Sequence, residues 1–131
     1  MLSTPLTMLL YSSILMFLLI LIPAGAAIRR NGAMVQAGAR DALPEPSTFM
    51  KRANRLNANM RENMIIFAVL VLIAELVKIE SDRVALGAQI FFYCRVAHAG
   101  VYLAGLPVIR PLLWFASVVG MGMIAVALLA A

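Results

Sequence analysis

The chain has 131 residues, of which 63% are hydrophobic and only 13% charged, with a mean hydropathy of +0.95. Soluble domains are about half apolar, so this composition excludes a water-soluble globule and points to an integral membrane protein. The net charge of +5 is read here as topology signals and contacts for anionic ligands, and no nucleic-acid partner is expected. One lone cysteine, Cys94, excludes an internal disulfide and argues against a cysteine-based metal site. No metal is expected.

Taken in order, the chain divides into four apolar spans, at about 6–28, 49–77, 83–104 and 110–130. The first 28 residues carry no side-chain charge, and Leu112–Ala131 is another uncharged run of 20. Both fit the roughly 20 residues needed to cross a bilayer core. A secretory signal is the competing reading of the N-terminus. It is disfavoured because no Lys or Arg precedes Arg29 and the apolar run is too long for a signal core. Pro23 falls inside the first span, where neighbouring helices can re-satisfy the backbone. Residues 29–48 contain Gly32, Gly38, Pro44 and Pro46 and read as a long loop, a length that is functional or disordered. The other two connections, 78–82 and 105–109, are tight. Small residues in the last span (Ala116, Ser117, Gly120, Gly122, Ala125) allow close helix approach. The expected fold is an all-α, integral membrane four-helix bundle forming one domain over 1–131.

Seven Lys or Arg lie between Arg29 and Arg61, and Arg110 follows the third connection. The second connection has Lys78 and Arg83 offset by Glu80 and Asp82. The positive-inside rule therefore puts the first and third connections in the cytoplasm and both termini outside, in periplasm or lumen.

The second span carries the chemistry. At about 100° per residue, Arg52, Arg55, Asn59, Glu62 and Asn63 share one helix face that runs into apolar Ile66. A polar stripe entering lipid is costly unless it has a use. Measured inward from the second connection at about 1.5 Å per residue, Glu62, Asn59 and Arg55 lie near 22, 27 and 33 Å on the second span. On the third span, Arg95, His98 and Tyr102 lie near 18, 22 and 28 Å and also share a face. The two sets match in depth. Antiparallel neighbours would bring Arg55, Asn59, Glu62, Arg95, His98 and Tyr102 into one polar cavity. The plainer reading is that these groups only satisfy one another, with Glu62 paired to Arg95. The charge balance argues otherwise: Arg52, Arg55, Arg95 and nearby Arg110 face a single carboxylate. Such a surplus calls for an anionic ligand bearing carboxylates.

Arg55-x-x-x-Asn59-x-x-Glu62-Asn63 followed by Phe67, then Arg95, Tyr102 seven residues on and Arg110 after a short loop, resembles the MAPEG family (membrane-associated proteins in eicosanoid and glutathione metabolism). The Arg29-Arg30 pair and the Pro-containing loop resemble it too, and the likeness covers nearly the whole chain. The resemblance implies a homotrimer of four-helix protomers in membrane lipid, with sites between subunits facing the cytoplasm. It implies glutathione as co-substrate, as in the microsomal glutathione transferases of this family. Arg55, Asn59 and Glu62 would hold its polar ends, Glu62 taking the amino group. Arg95 and Tyr102 would complete the peptide site, and Arg30 would reach it from the first span. Arg110 would stand beside the thiol as the catalytic residue. The implied activity is a transferase or peroxidase acting on hydrophobic electrophiles or lipid hydroperoxides, with apolar walls admitting the small-molecule substrate. Asn57, Asn63 and His98 are further candidates. Asn57 and His98 depart from residues common in the family, the first loop is longer than usual, and Pro111 directly follows Arg110. The family also contains a lipid-binding member without chemistry, so a non-catalytic lipid-binding or accessory trimeric subunit is the alternative. A transporter finds little support without broken helices or inverted repeats.

Among single residues, His98 reads as a hydrogen-bonded structural group ahead of an acid or base. Cys94 reads as a small apolar residue ahead of a reactive thiol. Glu75 reads as snorkelling or pairing with Lys78, and Trp114 as part of an interfacial aromatic belt.

Overall fold

The computed structural model describes residues 1–131, all of them in helices, turns and short connections without any strand. The five helices are α1 (Thr4–Asn31), α2 (Ala33–Ala37), α3 (Thr48–Leu76), α4 (Asp82–Ala104) and α5 (Ile109–Leu129). All but α2 are long and apolar enough to cross a membrane. The expected all-α, four-helix membrane bundle is what forms.

Local chemistry sets the ends. Ser3 caps α1 by accepting from the Leu6 N–H, with a proline in the first turn where a missing N–H costs nothing. Ser47 and Ser81 cap α3 and α4 in the same way, accepting from Met50 and Arg83. The C-terminus of α4 closes on Gly105 at φ 75°, a left-handed position that suits glycine. The Arg52 guanidinium packs against that glycine, close enough that an added Cβ would sit 2.5 Å from its carbon. A cation at this helix end also meets the negative pole of the α4 dipole. Gly105→Ala is therefore expected to cost about 2 kcal/mol through backbone strain and displacement of Arg52. Unfolding titrations in mixed micelles measure it.

Two boundaries differ from expectation. The first span does not stop at 28. It continues through Arg29 and Arg30 to Asn31, because basic side chains in a last turn are favourable beside exposed carbonyls. The segment read as a structureless loop contains α2, which begins directly after a bend at Gly32 (φ 88°). Beyond it Lys51 bonds Glu45 at 2.8 Å, the one ion pair in the chain, and this bond holds the Glu45 carboxyl below the usual carboxylate range. Glu75 is not paired with Lys78. It accepts from the Ser3 hydroxyl, tying the start of α1 to the end of α3.

Helices α4 and α5 make the most extensive contact, and α1 lies across α3 and α4. Phe67 of α3 stacks on Phe91 of α4 with centroids 3.9 Å apart, at the centre of a core that includes Leu56, Met60, Val71, Val84 and Ile124. Where α4 crosses α5, Gly87 and Gly120 face each other. A Cβ on either would lie 2.6 Å from the other's carbonyl oxygen. Large apolar side chains such as Phe17, Ile65 and Phe115 are exposed on the outside. A bundle that leaves such side chains bare is built for lipid.

Candidate functional site

The buried face of α3 is formed by Ala53, Leu56, Met60, Asn63, Met64, Phe67, Val71 and Ala74. Taking Arg52 as zero, these positions centre near 70° around the helix. Asn59, at about 340°, sits on the margin of that face and reaches α4. Arg95 Nη1 donates to Asn59 Oδ1 at 2.6 Å, so the polar sets of the two helices do meet, although through a pair whose counted depths differ by about 9 Å. Arg95 is 1% exposed, with its guanidinium 5.4 Å from the Phe91 ring centroid. Its Nε and Nη2 have no hydrogen-bond partner, and neither does Nδ1 of His98, which is 2% exposed. A buried guanidinium with a single neutral partner is an expensive arrangement.

One helical turn onward the polar groups continue. The His98 and Tyr102 rings meet edge to face at 5.4 Å. The Arg110 guanidinium lies over the Tyr102 ring at 4.9 Å. Pro111 in the first turn of α5 fixes that helix's start, so Arg110 is carried on a rigid element. Asn59, His98, Tyr102, Arg110, Pro111 and Trp114 line a cleft of about 260 Å³. Trp114 is thus a wall of the cleft as well as an edge aromatic. Its spacing, four residues after Arg110 and so on the same helix face, is the signal that could have placed it there.

Not every expected residue joins them. Glu62 does not pair with Arg95, and neither Glu62 nor Arg55 lines the cleft. Both are exposed, because at about 280° and 300° they point away from the buried face of α3. Of the six depth-matched residues only Asn59, His98 and Tyr102 line the cleft, so a single cavity holding all six is not formed. Asn63 is buried and satisfied inside its own helix, donating to the Asn59 carbonyl at 2.8 Å. Asn57 lies on the opposite margin of α3, its Oδ1 buried without a partner. Arg30 is exposed and donates to the Glu45 carbonyl at 2.7 Å, away from the cleft. Cys94 is half-buried. No three His, Cys, Asp or Glu side chains cluster closely enough to hold a metal ion.

What the cleft can do follows from its charges. Arg110 in the cleft wall and Arg95, buried behind it and joined to it through Asn59, are two cations with no carboxylate within ion-pair distance. Such a site suits a small anion with an apolar or soft end.

The class is an all-helical integral membrane protein with an arginine-bearing cleft where α3, α4 and α5 converge. The profile of the MAPEG family matches residues 8–130, nearly the whole chain, and the chain belongs to that family. Its members include glutathione transferases and peroxidases, and they generally use glutathione. No curated protein matches the chain.

Proposed function

We propose that this protein is a glutathione-dependent membrane transferase or peroxidase acting on hydrophobic electrophiles or lipid hydroperoxides. The observation that carries the reading is Arg95, a fully buried cation whose Nε and Nη2 donors are unpartnered beside the cleft. A peptide carboxylate would satisfy them, with Asn59, His98 and Tyr102 supplying further contacts. Arg110 faces the same cleft from the next helix and is assigned to the thiol. A free thiol ionises near pH 8.5, so it is mostly protonated at neutral pH, and only the anion is a strong nucleophile. The Arg110 guanidinium favours the anion. The thiol proton leaves to water, and the thiolate sulfur bonds to the electrophilic carbon as the bond to its leaving group breaks, that group departing with the electron pair. With a hydroperoxide the sulfur attacks the terminal oxygen, and the O–O bond breaks to release the alcohol after protonation by water. A second glutathione thiol then displaces water from the sulfenic acid to give the disulfide. Each pKa unit gained is worth about 1.4 kcal/mol.

Arg55, Glu62 and Arg30 enter this proposal through assembly. Exposed charged groups on a membrane helix are costly unless they find partners. In a homotrimer a neighbouring protomer would lie against the outer face of α3, and Arg55 and Glu62 would then complete a site shared between subunits. Both termini outside, with the Arg-rich first connection in the cytoplasm, belongs to the same proposal.

Glutathione titrated into the detergent-solubilised protein should bind, and Glu62→Ala should weaken it. Absence of binding at millimolar glutathione removes the reading. Arg110→Ala is expected to keep most of the binding and lower the ultraviolet thiolate absorbance. An unchanged thiolate signal takes Arg110 out of the role. A second reading, a lipid-binding subunit without chemistry, is favoured by one feature. A wholly apolar groove of about 240 Å³ runs between α1 and α4, lined by residues including Tyr11, Leu15 and Phe92. Turnover of a model electrophile with glutathione separates the two.

A further inference from the structure

The corner where α1 passes into α2 carries features that the cleft does not use. The hydrogen bond from Ser3 to Glu75 places the start of α1 beside the end of α3, at one membrane edge. Counted from there at about 1.5 Å per residue, Ala24 lies about 32 Å along the axis and Arg29 about 39 Å. A bilayer has a hydrocarbon core of about 30 Å and is about 40–45 Å thick with its headgroups. The corner therefore begins at the edge of the hydrocarbon and ends among phosphates.

Its chemistry changes at the same depth. A second cleft of about 280 Å³ is walled by Ala24, Ile28, Ala33 and Ala37, with Gln36 and Arg40 completing it. Arg40 donates its Nε to the Gln36 carbonyl at 2.7 Å, which fixes the guanidinium at this cleft. It takes a left-handed backbone (φ 65°), uncommon for a residue with a side chain. Met34 and Val35 are 86% and 52% exposed although they follow a polar turn. Arg29 and Arg40 are exposed and pair with no carboxylate. Glu45, the nearby acid beyond Asp41, is taken up by Lys51.

We propose that the α1–α2 corner binds one anionic phospholipid of the surrounding bilayer, with Arg40 holding its phosphate headgroup and Arg29 adding positive charge at the same depth. Ala24 and Ile28 lie against its glycerol and upper acyl chain, and Met34 and Val35 enter the adjacent interface. The apolar wall with arginines at headgroup depth favours a lipid over a soluble anion. Each arginine near an anionic lipid surface is worth about a factor of five.

The test is native mass spectrometry of the full chain in detergent with an equimolar mixture of dioleoylphosphatidylglycerol and dioleoylphosphatidylcholine. The wild type is expected to retain phosphatidylglycerol with about twenty-five-fold preference, and Arg29→Gln with Arg40→Gln to fall close to parity. Arg40→Lys, which keeps the charge but loses the planar fork, should fall between them and serves if the double variant does not fold. Met34→Ser with Val35→Ser should lower total lipid retained without changing the headgroup preference. Equal retention of both lipids by the wild type overturns the proposal, as does an unchanged preference in the arginine variants. Displacement of the lipid by millimolar inorganic phosphate overturns it in favour of a soluble-anion site. Glutathione binding is read separately, so failure here leaves the cleft's assignment standing.

Discussion

Arg95→Met is expected to leave the bundle folded while weakening glutathione binding by about a hundredfold. A buried ion held by one neutral partner contributes little net stability, since taking it out of water costs several kcal/mol. In the folded protein Arg95 has only the 2.6 Å bond to Asn59 and the face of Phe91 to offset that cost. Met matches the stem's length and packs against Phe91, so stability should stay within about 1 kcal/mol or rise. Binding behaves differently. Hydrogen bonds to charged groups are worth about 1.5–3 kcal/mol each, and losing one or two of them gives about a hundredfold. Thermal unfolding and glutathione titration on one preparation measure both arms. A variant that unfolds would show that Arg95 is a structural group, and unaltered affinity would show that the ligand does not touch it.

Gly120→Val is expected to lower stability by about 3 kcal/mol or more. The reason is reciprocal contact between backbones. A Cβ at position 120 would meet the Gly87 carbonyl oxygen at 2.6 Å and the Phe91 nitrogen at 3.0 Å. Neither obstacle is a flexible side chain, so α4 and α5 must separate, and packing at distance from Gly87 to Ile124 is lost with them. Gly122→Val is the matched control: nothing lies within 4 Å of a Cβ there, and the change should stay within about 0.5 kcal/mol. Equal effects at 120 and 122 would mean that helix flexibility, and not close approach, is what these glycines provide.

The comparison of sequence with structure turns on rotation about helix axes. Span positions are legible because uncharged runs of membrane length have few other readings. Depth alone brings the α3 and α4 polar sets together, but it levels Asn59 with Tyr102. It leaves the bond between Arg95 and Asn59, formed by a long side chain reaching along the helix, unforeseen. The facing of Arg55 and Glu62 was not legible. Their stripe and the apolar stripe of Leu56, Met60 and Phe67 share the same period, and the stripes differ only in phase. Packing against α4 chose a face centred near 70°, leaving Asn63 inside, Asn59 at the margin and Glu62 outside. Helix α2 was missed because five residues flanked by glycines give no periodicity to read. The extension of α1 is not legible from hydropathy, because the uncharged run ends at Ile28 while the double arginine beyond it makes a favourable last turn.

The tight connection between α4 and α5 also bears on how the chain is made. These two helices are adjacent in sequence, joined across Gly105–Val108, and they approach closely where Gly87 faces Gly120. A pair of this kind closes a short loop, so its pairing is fast and asks nothing of the rest of the chain. Helices α3 and α4 are the less apolar of the four spans, and α4 carries the one buried arginine. During synthesis it leaves the ribosome after α3, whose Asn59 is its polar partner, and before α5, which is strongly apolar. The order lets α4 enter the bilayer with a hydrogen-bond acceptor already waiting on one side and an apolar mate following on the other.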